Sequence, residues 1–148
     1  MLKKYVLAIF ISFMSMQPVI AVTQDSIIGI WINSAGDGLI EISHVSNEYI
    51  GTIIDSTDPA DSDRKDINNI KPDLRDRPLK GLKVIQGLRY TKDNLWTGAS
   101  IYDPNNGKTY SCKVTLNDNK EIEIRGYIGL SIFGRTEIWK RAETSKLN

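Results

Sequence analysis

The chain has 148 residues, with 19 Lys and Arg against 18 Asp and Glu and a formal net charge of +1. That length suits one domain, and so balanced a charge leaves no basic field to hold nucleic acid or an anionic lipid surface. One cysteine, Cys112, excludes an internal disulfide.

The N-terminus reads as a leader. Lys3 and Lys4 precede an uncharged apolar run, Tyr5 to Met16, which Pro18 breaks and the small-residue ending Val19-Ile20-Ala21 follows. This is the layout of a secretory signal peptide over residues 1–21, and the run is short of the roughly 20 residues a spanning helix needs. The expected product begins at Val22 and is exported, with the periplasm of a Gram-negative bacterium as its compartment and no transmembrane anchor once the leader is cut. No cysteine follows the cleavage site to carry a lipid. The expected domain is residues 22–148, with a frayed polar tail from Glu143 to Asn148.

The body reads as short strands. Ile27 to Ile32 is an apolar run of buried-strand type. A turn cluster, Asn33 to Gly38, leads to Leu39–His44, where Ile40 and Ile42 share one face. Tyr49 to Ile54 completes a meander of three antiparallel strands. Later come Leu82 to Tyr90, Leu95 to Tyr102 with Trp96 and Tyr102 on one face, and Tyr110 to Leu116 with Tyr110, Cys112, Val114 and Leu116 on one face. Glu121 to Tyr127 places Ile122 and Ile124 inward, Gly129 to Gly134 is a short apolar connection, and Thr136 to Arg141 is the last strand. About eight short strands at regular spacing predict an all-β fold, a small antiparallel up-and-down barrel. A barrel of that size encloses side chains or one small ligand.

One segment departs from this rhythm. Asp55 to Leu82 has no apolar periodicity and carries seven Asp against six Lys and Arg. Pro59, Pro72 and Pro78 exclude a long helix, leaving at most a helical turn at Asp73 to Asp76, with Leu74 and Leu79 as anchors to the body. Long loops in compact domains are usually functional or disordered.

The order of motifs resembles a bacterial secreted family known as domain of unknown function 2147. The matching residues are Gly29-Ile30-Trp31, Asp66 to Asn69, Leu74-Arg75-Asp76-Arg77-Pro78-Leu79-Lys80-Gly81-Leu82 and Trp96-Thr97-Gly98. They continue through Ile101-Tyr102-Asp103-Pro104, Gly107-Lys108-Thr109-Tyr110-Ser111-Cys112, Arg125-Gly126-Tyr127, Gly134-Arg135-Thr136, Trp139 and Arg141. Ile70 departs from the pattern, which usually has proline there. The chain is also similar to the calycins, the small barrels that include lipocalins. That likeness implies a Gly-X-Trp closing one barrel end under a basic residue, with Gly29, Trp31, Trp139 and Arg141 (or Arg135) as the end residues here.

Candidate chemistry is sparse. His44 is the only histidine, so neither a histidine metal site nor a Cys-His pair has support. Cys112 alternates with inward residues and reads as an inert core thiol. The Asp series 55, 58, 61, 63 and 66 lacks the calcium-loop spacing and contains Arg64 and Lys65, so no metal is expected. No cofactor and no catalytic set is implied. Arg75 and Arg77 form a fork suited to carboxylate or phosphate, or else one of them pairs with Asp66 or Asp73 to staple the loop. Arg125 and Tyr127, beside Tyr102 and Tyr110, are expected at one barrel mouth. The candidate ligand-binding residues are therefore Asp66, Asn69, Arg75, Arg77, Tyr110, Arg125 and Tyr127. The expected function is non-catalytic: binding of a small or lipid-like apolar ligand with an anionic group met by Arg75, Arg77 or Arg125, or an envelope-accessory role. The alternative is an interaction module with a solid core that docks on an envelope protein through residues 55–82. A hydrolase acting through Asp or Glu is a third reading; no pair of acids stands out for it, and Asp66 and Asp103 are the residues on which to test it.

Overall fold

A computed structural model describes residues 21–143. The expected leader therefore lies outside the described residues except for Ala21, and the polar tail except for Glu143. Eight strands run in chain order: β1 Gly29–Ile32, β2 Gly38–Val45, β3 Glu48–Ser56, β4 Lys83–Lys92, β5 Leu95–Asp103, β6 Lys108–Asp118, β7 Glu121–Tyr127 and β8 Arg135–Arg141. Each pairs antiparallel with the next. β8 returns to β1 through Trp31 opposite Arg141, so the sheet closes into an up-and-down barrel. Closure satisfies both edges and leaves no free strand to template aggregation.

Alternation builds the interior. Ile40 and Ile42 of β2, Cys112, Val114 and Leu116 of β6, and Ile122 and Ile124 of β7 all join one buried apolar cluster with Trp31, Trp96 and Trp139. These side chains stand on every second residue because the strand period is two.

Two sequence expectations change. Ile27 does not extend the first strand. It ends a 3-10 helix, Gln24–Ile27, that crosses the base of the barrel, and its buried carbonyl accepts a hydrogen bond from Trp31 Nε1 at 2.9 Å. Trp96 and Tyr102 do not share a face either. The β5–β6 register shifts between Trp96 and Ala99, so Trp96 and Ala99 are both buried in the core, while Ile101 and Tyr102 are partly buried against it. One inserted residue reverses the parity of everything after it, which turns the Tyr102 hydroxyl toward the long loop.

That loop is ordered. It carries 3-10 turns at Pro59–Asp61 and Pro72–Leu74, where a helical turn was expected from Asp73. Lys65 bridges Pro78 in antiparallel fashion, and Leu79 is buried while Leu74 is half-buried. Among the described residues, no helix is long and apolar enough to cross a membrane.

Candidate functional site

The two ends of the barrel differ. At one end the 3-10 helix Gln24–Ile27 plugs the opening. Arg141 lies over the Trp31 ring, its guanidinium carbon 4.1 Å from the centroid, and donates to the carbonyls of Ser26 (2.7 Å), Ile28 (2.8 Å) and Asn119 (2.5 Å). Gly29 makes this approach possible. Its φ is +140°, and a β-carbon there would overlap the Arg141 guanidinium. Trp96 Nε1 donates to the Gln24 carbonyl at 3.1 Å, and the Tyr49 hydroxyl to Asp25 at 2.7 Å. Burial, and then the Asp25 carboxylate it donates to, hold the Tyr49 phenol above its usual range. His44 stacks on Tyr49 with ring centroids 4.4 Å apart and faces Asp25 at 3.4 Å.

At the other end the loops stand apart around a cavity of about 840 Å³. Ile40, Ile53, Val84, Ile101, Ile124 and Trp139 wall it, and the Asn33–Gly38, Asp55–Lys80, Asp103–Asn106 and Ile128–Phe133 segments surround its mouth. The mouth carries three ion pairs, Arg64 with Asp37 at 2.9 Å, Lys80 with Asp55 at 2.6 Å and a longer one, Arg135 with Glu137 at 3.9 Å. At Asp37, burial alone would raise the carboxyl pKa, but the hydrogen bonds from Asn33 and Arg64 outweigh it and hold the group low. Lys80, and then the Ser56 backbone N–H, hold the part-exposed Asp55 carboxyl low in the same way. Glu137 lines the cavity too, and Trp139 Nε1 points to it at 3.4 Å.

Beside the mouth, the long loop is fastened by one buried carboxylate. Asp66 is fully buried and accepts from Tyr102 Oη at 2.6 Å, Asn69 Nδ2 at 2.7 Å and Arg77 Nη2 at 2.7 Å. Arg75 Nε donates to the Asn69 carbonyl at 2.8 Å, and Arg77 sits 5.5 Å from the centre of the Tyr102 ring. The loop presses on the β5–β6 turn at Gly107, where φ is +69° and a β-carbon would collide with the Asn68 carbonyl. Burial first, then the Asp66 carboxylate, push the Tyr102 phenol upward.

The seven candidate ligand residues therefore fall into three places. Tyr110 and Tyr127 line the cavity. Asp66, Asn69, Arg75 and Arg77 form the loop fastening, and Arg77 also borders a cleft of about 410 Å³ with Tyr102, Gln86 and Thr109. Arg125 binds the β7–β8 connection, donating to the carbonyls of Ser131 (2.6 Å) and Ile132 (3.0 Å) and to Thr136 Oγ1 (2.7 Å). Of the four barrel-end residues, Gly29, Trp31 and Arg141 meet at the plug, whereas Trp139 walls the cavity. Arg64 and Glu137 were absent from the candidates. Glu137 shares strand parity with Trp139, which was the available signal. Asp103 caps its own turn through Asn105 N and Asn106 Nδ2.

A plugged end with a tryptophan under an arginine, and an open end around a cavity, define a calycin-like barrel. The chain belongs to the DUF2147 family, described as uncharacterized protein conserved in bacteria, whose family model matches residues 29–141. Among solved structures it is similar to protein HP1028 from the human pathogen Helicobacter pylori, described as belonging to the lipocalin family. The two share 25% identity with a TM-score of 0.72 over 81% of this chain and 85% of that one. No curated protein matches the sequence.

Proposed function

We propose that the protein is an exported carrier whose barrel holds one small, mainly apolar molecule. The observation that carries this reading is the cavity of about 840 Å³, walled by Ile, Val and Trp and open at one end. Ligand sites are of this size and makeup, apolar walls with a few polar groups to fix orientation. The likeness to a lipocalin-family protein supports it. Residues 1–21 act as the leader, and the mature domain, 22–148, works in the periplasm. The lysine pair and apolar run before Pro18 support that assignment. Tyr110, Tyr127 and Glu137 contact the polar end of the ligand. Arg75, Arg77 and Arg125 are held by their own loops, so an anionic head is not met by them inside this cavity.

The solid-core docking reading loses its main support, because the interior is open. The hydrolase reading meets a similar obstacle, since Asp66 is enclosed by three donors and Asp103 is engaged in its own turn. Native mass spectrometry of the protein purified from its host tests the carrier role. A bound species of a few hundred daltons, or a raised melting temperature with a lipid extract, is the expected outcome. Empty protein that no extract stabilises would overturn it. N-terminal sequencing of exported protein is expected to start at Val22.

A further inference from the structure

The connection between β7 and β8 carries four large apolar side chains in the open. Ile128, Leu130, Ile132 and Phe133 are 74%, 66%, 71% and 77% exposed. Ile67 and Ile70 are exposed as well, but each stands alone between polar neighbours. The four on the β7–β8 connection are contiguous, with only Gly129 and Ser131 between them and no charge from Ile128 to Gly134. Contiguous exposed apolar surface marks an interaction site. Ile128 and Phe133 also line the cavity mouth, so the apolar strip runs from solvent into the barrel.

This tip is held outward. Arg125 grips the Ser131 and Ile132 carbonyls, and a 3-10 turn, Ser131–Phe133, closes with Phe133 N donating to Leu130 O (3.2 Å) and Gly134 N to Ser131 O (3.2 Å). The carbonyls of Leu130, Ser131 and Ile132 are thus all bonded within the protein. Among the described residues the N–H groups of Gly129, Leu130, Ser131 and Ile132 have no partner, so the tip suits the shallow headgroup layer, where phosphate and water accept from them, rather than deep hydrocarbon. At the base of the tip stand the amphipathic Tyr127 ring and Arg135, whose side chain is 85% exposed and paired only at long range with Glu137, at 3.9 Å. Aromatic rings and long cations are the residues that settle at headgroup depth, and the guanidinium is complementary to lipid phosphate.

We propose that the β7–β8 tip inserts into the outer layer of a phospholipid bilayer and brings the cavity mouth against the membrane. The near-neutral chain supplies no long-range attraction, so insertion rests on the apolar side chains, with Arg135 setting depth against phosphate. The proposal needs the tip and does not need the cavity to be occupied.

Vesicle co-sedimentation tests it, on the full chain expressed with its own leader and purified after export. Parent and Ile132→Ser/Phe133→Ser protein are compared on phosphatidylcholine vesicles, and on vesicles with part of that lipid replaced by phosphatidylglycerol. Any contribution from the N-terminal region is common to both proteins. Both side chains are exposed, so the thermal melt should be unchanged. The parent should partition onto both vesicle types with less than about threefold difference, and the double variant at least about tenfold more weakly. Phe133→Trp protein should be quenched by brominated acyl chains more than the parent. Equal partitioning of parent and variant, or none by either, would overturn the proposal. So would self-association that the double substitution abolishes without vesicle binding, which would give the tip to a second copy of the chain.

Discussion

The plugged end and the open end of the barrel are made from the same strands, yet they use their side chains differently. At the plug the inward polar groups have partners inside the protein: Trp31 Nε1, Trp96 Nε1, Tyr49 Oη and the three donors of Arg141 all meet carbonyls or a carboxylate. At the mouth the apolar wall faces a space and the charged groups pair in solvent. Packing density decides what a deletion costs, because a residue with neighbours on all sides leaves a void that cannot collapse. One end is therefore packed solid and the other leaves an open space.

The contrast can be broken with one chemistry placed at both ends. Ile42, fully buried beside the plug, and Ile53, on the cavity wall, are both in the interior. Ile42→Ala is expected to cost about 3–5 kcal/mol in urea unfolding, and Ile53→Ala about 1–2 kcal/mol. Equal losses would mean that the cavity is as tightly packed as the plug. The loop fastening comes next. Asp66→Ala removes the acceptor shared by Tyr102, Asn69 and Arg77 and is expected to cost about 3 kcal/mol. Limited proteolysis should then cut within residues 57–77 first. A variant as protease-resistant as the parent would show that the loop is held by other contacts.

The smallest effect is a matter of pH. Burial pushes the Cys112 thiol from 9.0 up to about 12. A folded-state value above the unfolded one means that the native state keeps its proton longer. The stabilisation is then whole below pH 9 and is lost as pH rises toward 12, by up to about 1.4 kcal/mol per unit. Tyr49 acts in the same direction from a higher starting point. Cys112→Val should flatten the alkaline slope of stability measured by urea unfolding between pH 9 and 11. An unchanged slope would place the loss with the tyrosines.

Much of the fold was legible because strand alternation is a local signal. Ile40 and Ile42, or Tyr110 through Leu116, report their inner face without knowledge of any partner. Tyr102 was misread because a bulge is set by cross-strand register between Trp96 and Ala99, which no periodicity reveals. Ile27 was read as strand for a related reason. An apolar residue beside a strand is buried equally well by extending it or by plugging the barrel below it. The site was less legible than the fold. Arg75, Arg77 and Arg125 carry the chemistry of anion binding, but loop carbonyls and Asp66 claim them, and those contacts span six to eleven residues of chain. Glu137 drew no attention because a lone acid on a strand normally faces water.

The account stands on the open interior, and blocking it is the most direct test. Ile101 lines the cavity from β5. Titration of an uncharged naphthylamine dye into parent and Ile101→Trp protein should show saturable binding to the parent with a blue-shifted emission. The filled variant should bind at least about tenfold more weakly while melting at or above the parent temperature. Dye binding that survives the tryptophan unchanged, in a variant shown to be folded, would contradict the account.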